Sequence, residues 1–124
     1  MRDKYTKSSS KRLLRPEEKA LLRAMASSCF PESKLEATLQ GSEVEDLLDG
    51  GMGSIRVVNE TGDQRRLGKV ISEAEYLDSD GVLVTISINL DQNDNLFEVD
   101  FWKVDFSPLC QYPGVEDIKI VRPK

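Results

Sequence analysis

Apolar residues recur along this chain at two periods, and the change falls near Ser42. In "RPEEKALLRAMASSCF" Leu21, Met25 and Cys29 lie four apart, with Leu22 and Ala26 beside them. That spacing makes one apolar stripe on a helix. Pro16 suits a first helical position, and Glu17 and Glu18 complement the positive end of the helix dipole. "PESKLEATLQG" repeats the pattern from Pro31, with Leu35 and Leu39 four apart and Gly41 as a stop. Beyond Ser42 the period is two, the spacing of a half-buried strand. "SEVEDLLDGGMGSIRVV" predicts two short strands around a glycine-rich connection, with Met52 at an exposed tip. "LGKVISEAEYL" alternates Val70, Ser72, Ala74 and Tyr76 against Lys69, Glu73 and Glu75, with Ile71 the exception. "VLVTISINL" sets Val82, Val84, Ile86, Ile88 and Leu90 on one face, and Thr85, Ser87 and Asn89 on the other. "VEDIKIVRP" reads as a last edge strand.

Helices followed by hairpins predict an α+β domain over residues 12–124. Its expected form is one or two N-terminal helices packed on an antiparallel β-meander of about five strands. Residues 1–11 are charged, serine-rich and without period, which predicts a disordered basic tail.

The stretch "LFEVDFWKVDFSPL" breaks its own alternation. Phe97, Val99 and Phe101 are apolar at odd positions, whereas Trp102, Val104 and Phe106 are apolar at even ones. A phase change moves the apolar set to the other face of a strand. A β-bulge at Phe101–Trp102 is the expected device, returning Val104 and Phe106 to the core side. Trp102 is then either a second core aromatic or a residue at the rim between the core and the outer face.

Coincident core faces set the expected register. Tyr76 pairs with Val82, Ala74 with Val84 and Ser72 with Ile86; Ile88 pairs with Phe97, Ile86 with Val99 and Val84 with Phe101. The reverse face then carries Glu73 and Glu75, a hydroxyl strand of Thr85 and Ser87, and Glu98 and Asp100. Four carboxylates without interleaved lysines form either a solvated face or an acidic recognition surface.

Charge sharpens this picture. The chain carries a net −5, yet residues 1–15 alone carry +5, so the remainder is strongly acidic. An acidic body argues against nucleic acid, whose phosphates need a basic face. There is no histidine, which removes imidazole acid–base chemistry and most zinc sites. The two cysteines, Cys29 and Cys110, lack metal-ligand spacing and read as unpaired thiols in a reducing compartment. No apolar leader and no membrane-length apolar run are apparent, so a cytoplasmic protein is expected. "DQNDN" copies the first ligands of a calcium loop, but Leu96 stands where its glycine belongs and Trp102 where its glutamate belongs. It reads as a hairpin turn. "DGGMGS" lacks the lysine of a phosphate loop. No cofactor, metal site or catalytic residue is expected.

Four blocks, "RPEEKALLRAM", "VEDLLDGGMGSIRVV", "LGKVISEAEYLDSDGVLVTISINLD" and "LFEVDFWKVDFSPL", together resemble a family of small bacterial proteins classed as a domain of unknown function. The resemblance covers about residues 12–109 and implies a compact cytosolic domain with no established activity. It carries no catalytic residues over.

The residues themselves point to a non-enzymatic protein-binding domain. Glu73, Glu75, Glu98, Asp100 and Trp102 are its expected contact residues, toward a basic protein partner and not toward nucleic acid or membrane. An immunity or antitoxin-like protein that masks a basic effector fits that description. A small hydrolase using the same carboxylates would need one acid perturbed inside a pocket. A structural homo-oligomer would pack a sheet edge or the aromatic rim on its own copy.

Overall fold

The computed structural model describes residues 6–58 and 65–122 of the chain. Strand β1 (Thr6–Leu13) leads into helices α1 (Pro16–Ala26) and α2 (Glu32–Gly41). Six strands follow: β2 (Glu43–Leu48), β3 (Ile55–Val57), β4 (Leu67–Leu77), β5 (Leu83–Asp91), β6 (Leu96–Lys103) and β7 (Lys119–Arg122). A short 3-10 turn at Val115–Asp117 precedes β7. All described strands join one antiparallel sheet in the order β1-β2-β3-β6-β5-β4-β7.

The α+β class stands, but the sheet has seven strands where about five were expected. Its order is also not one meander. The runs β1-β2-β3 and β4-β5-β6 meet along β3 and β6, so β5 and β6 lie between β3 and β4 in the sheet. Residues 6–11, expected in a disordered tail, belong to β1 and pair with β2. Residues 1–5 lie outside the described residues, as does most of the polar turn expected around Glu60–Arg66.

Both helices pack on one face of the sheet. Leu21, Leu22, Met25, Ala26, Leu35 and Leu39 join Val44, Ile55, Ala74, Tyr76, Val84, Ile86, Ile88, Val99 and Phe101 in one buried cluster. The expected strand faces hold along this core, but the register is displaced by two residues. Tyr76 pairs with Val84, Ala74 with Ile86 and Ser72 with Ile88; Ile88 pairs with Val99, Ile86 with Phe101 and Val84 with Lys103. A shift of two preserves the side-chain faces, which is why the core assignment survives it.

Bulges lie elsewhere than expected. No register break occurs at Phe101–Trp102; the irregularity in the β5–β6 pair falls between Asn89 and Leu90, opposite Phe97. There Leu96 joins the core, while Phe97 lies beneath the guanidinium groups of Arg56 and Arg65, 4.7 and 4.9 Å from its ring centre. Phe97 therefore does not pair with Ile88 in the core. On β4, one irregularity between Val70 and Ser72 accounts for the exceptional Ile71. Another falls at Gly68, where an added Cβ would lie 2.3 Å from the Asp91 carbonyl oxygen, a contact only glycine permits.

The entry of α1 is clamped to the sheet through one guanidinium. Arg12 donates to both carboxylate oxygens of Asp46 at 3.0 and 2.8 Å and to both of Glu18 at 2.8 and 2.7 Å. Glu18 is buried and also accepts the Arg15 amide at the helix start, 2.8 Å away. A glutamate read only as a dipole complement thus ties β1 and β2 to α1. Arg12→Ala should cost about 2–3 kcal/mol, since it leaves a buried carboxylate short of its main partner. Urea unfolding of wild type and variant measures the difference; a loss below about 0.5 kcal/mol would show that the clamp is inert.

Candidate functional site

The phase change in "LFEVDFWKVDFSPL" has a different cause from the bulge. Strand β6 keeps its phase to the end, so position 103 faces the core and Lys103 fills it, fully buried. A buried ammonium is tolerated when each of its donors finds an acceptor. Lys103 Nζ donates to Asp78 Oδ2 at 2.8 Å, to Asp80 Oδ2 at 2.7 Å and to the Pro108 carbonyl at 3.0 Å. Its three N–H bonds are thereby satisfied.

The supporting carboxylate is equally complete. Asp78 Oδ1 accepts the Ser79 and Gln111 amides at 2.7 and 3.1 Å, and Oδ2 accepts the Cys110 amide at 2.8 Å beside Lys103. Burial pushes the Asp78 pKa up, but the Cys110 amide, the Lys103 ammonium and the Ser79 amide outweigh it and hold it at about 2. Burial likewise lowers the Lys103 pKa, and the bonds to Asp78 and Asp80 carry it above the ordinary lysine value. The sulfur of Cys110 lies 3.7 Å from Nζ and 3.5 Å from Asp80 Oδ2. Asp78, Asp80 and Cys110 cluster closely enough to hold a metal ion, yet the ammonium already sits among them. Met52 was expected at an exposed tip; it is buried instead, and its sulfur accepts the Lys103 amide at 3.2 Å.

With Lys103 inside, the neighbouring apolar residues face out. Leu77 pairs with Leu83, and Val104 extends the ladder through its amide to the Leu83 carbonyl at 3.0 Å. On the same side, one step along the strands, Thr85 pairs with Trp102. Trp102 is half-buried, lies outside the core cluster, and meets Phe106 edge-on with ring centres 5.0 Å apart. The rim placement of Trp102 is therefore the observed one. Leu77 and Phe106 are 67% and 63% exposed, and Val104 is 46% exposed. Phe106 also has a φ of 67°, in the left-handed region that strains a bulky side chain. Leu77, Leu83, Trp102, Val104 and Phe106 form an apolar corner on the face opposite the helices.

The predicted acids share that face, but not as a bare negative cluster. One row across the sheet reads Lys11–Glu45–Arg56–Glu98, with Arg56 and Glu98 ion-paired. The next reads Arg122–Glu73–Ser87–Asp100, with Arg122 and Glu73 at 3.4 Å. The third reads Lys119–Glu75–Thr85–Trp102. Asp100 also accepts the Ser54 hydroxyl at 3.1 Å. Bases missing from the expected three-strand face come from β3 and β7, so each row has at least one base beside its acids. The residues that sequence reasoning missed are Lys103, Asp78, Asp80 and Cys110. Their signal was a lysine in phase with the core face opposite the acidic "DSDG" turn.

A cleft of about 410 Å³ lies next to this staple, lined by Tyr76, Leu77, Asp78, Gln111, Tyr112 and Asp117. Asp78 has both oxygens engaged by amides and Lys103, which leaves it unsuited to serve there as a base.

Residues 11–113 match the family described as Domain of unknown function (DUF6984), and the chain belongs to that family. No curated protein and no solved structure matches it. Among the described residues, no helix is long and apolar enough to cross a membrane.

Because the folded pKa of Asp78 lies below its ordinary value, its contribution to stability is present above pH 3.8 and is lost as pH falls toward about 2. Asp78→Ala should cost roughly 3–5 kcal/mol near neutral pH, the usual effect of breaking a buried pair. The gap to wild type should narrow below pH 3.8. Unfolding measured from pH 7 to pH 2 tests this, and a gap independent of pH would show that the carboxylate's charge is not what stabilises the site.

Proposed function

We propose that this is a non-enzymatic protein-binding domain that docks a partner on the sheet face opposite its helices. The observation that carries the reading is the corner of exposed Phe106, Val104 and Leu77 beside half-buried Trp102 and Leu83. A cluster of exposed apolar side chains bordered by charge marks an interaction surface more often than a solvated face. Phe106 adds to this, because strain in an exposed aromatic persists only where the surrounding turn enforces it. Its amide donates to the Lys103 carbonyl at 2.9 Å, and the adjacent Asp105 accepts the Ser107 amide and hydroxyl at 3.0 and 2.6 Å.

In the adjoining rows stand Glu73, Glu75 and Asp100 against Lys119 and Arg122, and exposed Asp105 lies between Val104 and Phe106. The excess of acid favours a partner with a basic rim around an apolar anchor. It disfavours a second copy of this chain, whose rim would bring like charges together. Trp102 and Phe106 supply the anchor contacts, and Glu73, Glu75, Asp100 and the more deeply paired Glu98 orient the partner. A cytoplasmic protein of the immunity or antitoxin kind, masking a basic effector, is the biological role this chemistry suits.

The decisive variant is Phe106→Gly. Glycine accepts the left-handed backbone freely, so stability should stay within about 1 kcal/mol of wild type while the aromatic anchor disappears. A partner captured on wild-type protein from the native host should bind Phe106→Gly and Trp102→Ala at least tenfold more weakly. Its association should slow as salt shortens the screening length toward ~8 Å. A partner whose binding ignores both variants and salt would overturn the reading.

A further inference from the structure

We propose that Cys110 and Lys103 are an oxidisable pair, which peroxide joins through a bond between Cys110 Sγ and Lys103 Nζ. This does not depend on the docking reading. Cys110 is exposed and open to a small oxidant, whereas Lys103 is fully buried and held in place by three acceptors. The two reacting atoms are 3.7 Å apart. Asp80 Oδ2 contacts both, at 2.7 Å from the nitrogen and 3.5 Å from the sulfur. Its side chain is 37% exposed, so protons it accepts can pass to water.

The chemistry balances with hydrogen peroxide as the oxidant. The Cys110 thiol gives two electrons to one peroxide, forming a sulfenic acid and water. Lys103 transfers a proton to Asp80, and the freed Nζ lone pair attacks Sγ. The sulfur–nitrogen bond forms, the sulfur–oxygen bond breaks, and the oxygen leaves as water. Thiol, ammonium and peroxide thus yield one sulfenamide, two waters and one proton. The bonds to Asp78 and Asp80 hold the ammonium protonated, so loss of its proton limits the rate, and fixed proximity lowers only the entropic part of the barrier.

Bond formation takes the cation away from buried Asp78, whose carboxylate is then held by backbone amides alone. Asp78 keeps the amides of Ser79, Cys110 and Gln111, and Asp80 keeps the Val82 amide at 3.1 Å and its solvent exposure. Residues 103–110 would close into a covalent ring carrying Val104 and Phe106, converting an ionic staple into a reducible one. Cys29 is the poorer target: it is half-buried, burial pushes its thiol pKa up, and it lies against the Met25 carbonyl at 3.5 Å.

The test uses the full chain with Cys29→Ser, treated with hydrogen peroxide and followed by peptide mapping. The peptide spanning Lys103 and Cys110 should lose about 2 Da and resist trypsin after Lys103, and a thiol reductant should reverse both changes. Cys110→Ser, an exposed substitution, should show neither. Asp80→Asn should slow ring closure several-fold while sulfenic acid still forms, as read by dimedone labelling. Complete dimedone labelling of Cys110 in the parent protein would overturn the proposal. So would an uncrosslinked gain of about 16 or 32 Da at Cys110, or a disulfide-linked dimer.

Discussion

The buried ammonium of Lys103 is the constraint on which this end of the molecule depends. Three segments converge on this residue: the β4–β5 turn through Asp78 and Asp80, the chain just after β6 through Pro108 and Cys110, and the β2–β3 loop through Met52, whose sulfur accepts the Lys103 amide. A buried ion pair is weak evidence for stability, because desolvation cancels much of the attraction. Its stronger effect is on geometry. An apolar side chain at position 103 would fill the slot and let the following segment lie anywhere over it. A lysine demands three acceptors in fixed directions, and so fixes where residues 108–111 run. Gly53 shapes the β2–β3 loop beside Leu109 and Phe101 through its φ of 105°, a conformation that L side chains rarely adopt.

The same constraint accounts for the exposed corner. Strand faces alternate strictly, so placing Lys103 inside obliges Trp102 and Val104 to face out. The turn that follows then throws Phe106 outward with a left-handed backbone. Elsewhere on that face the polarity is ordinary, with at least one base beside the acids of each row. The face therefore has a gradient, from the Arg56–Glu98 pair and the cation-stacked Phe97 at one end to the apolar corner at the other.

How far the sequence discloses this structure follows from the range of the interactions involved. Helix limits depend on local signals, and α1 (Pro16–Ala26) begins at the proline that announced it. Strand faces depend on period, so Val84, Ile86, Ile88, Val99 and Phe101 are all buried as expected. The "DQNDN" turn is also local: Asp91 Oδ1 accepts the Asn93 and Asn95 amides at 2.8 and 3.1 Å. Register was misjudged because turn geometry, and not pattern, decides which of two same-face pairings forms. Features made by distant partners were the least legible. The polar sequence of β1 says nothing of its pairing with β2, and Arg12 reveals its role only once Glu18 and Asp46 are beside it. An alternation rule expects a charged residue to face solvent, so Lys103 was the position where that rule had to fail.

The corner by itself is too small to be a whole interface. A stable complex covers roughly 800 Å² on each partner, far more than five side chains present. On the docking we propose, a partner anchored on Trp102 and Phe106 would have to extend across the Glu75–Thr85 and Glu73–Ser87 pairs toward Arg56 and Glu98. Along that path it meets charges that already have neighbours within the sheet. Exposed pairs of this kind are worth little individually, so exchanging Arg122 for a partner's base at Glu73 changes affinity only slightly. The rows can select the orientation and register of a bound chain, but they cannot supply most of its binding energy. That energy has to come from desolvating the aromatic corner, whose exposure is the direct consequence of a lysine in the core.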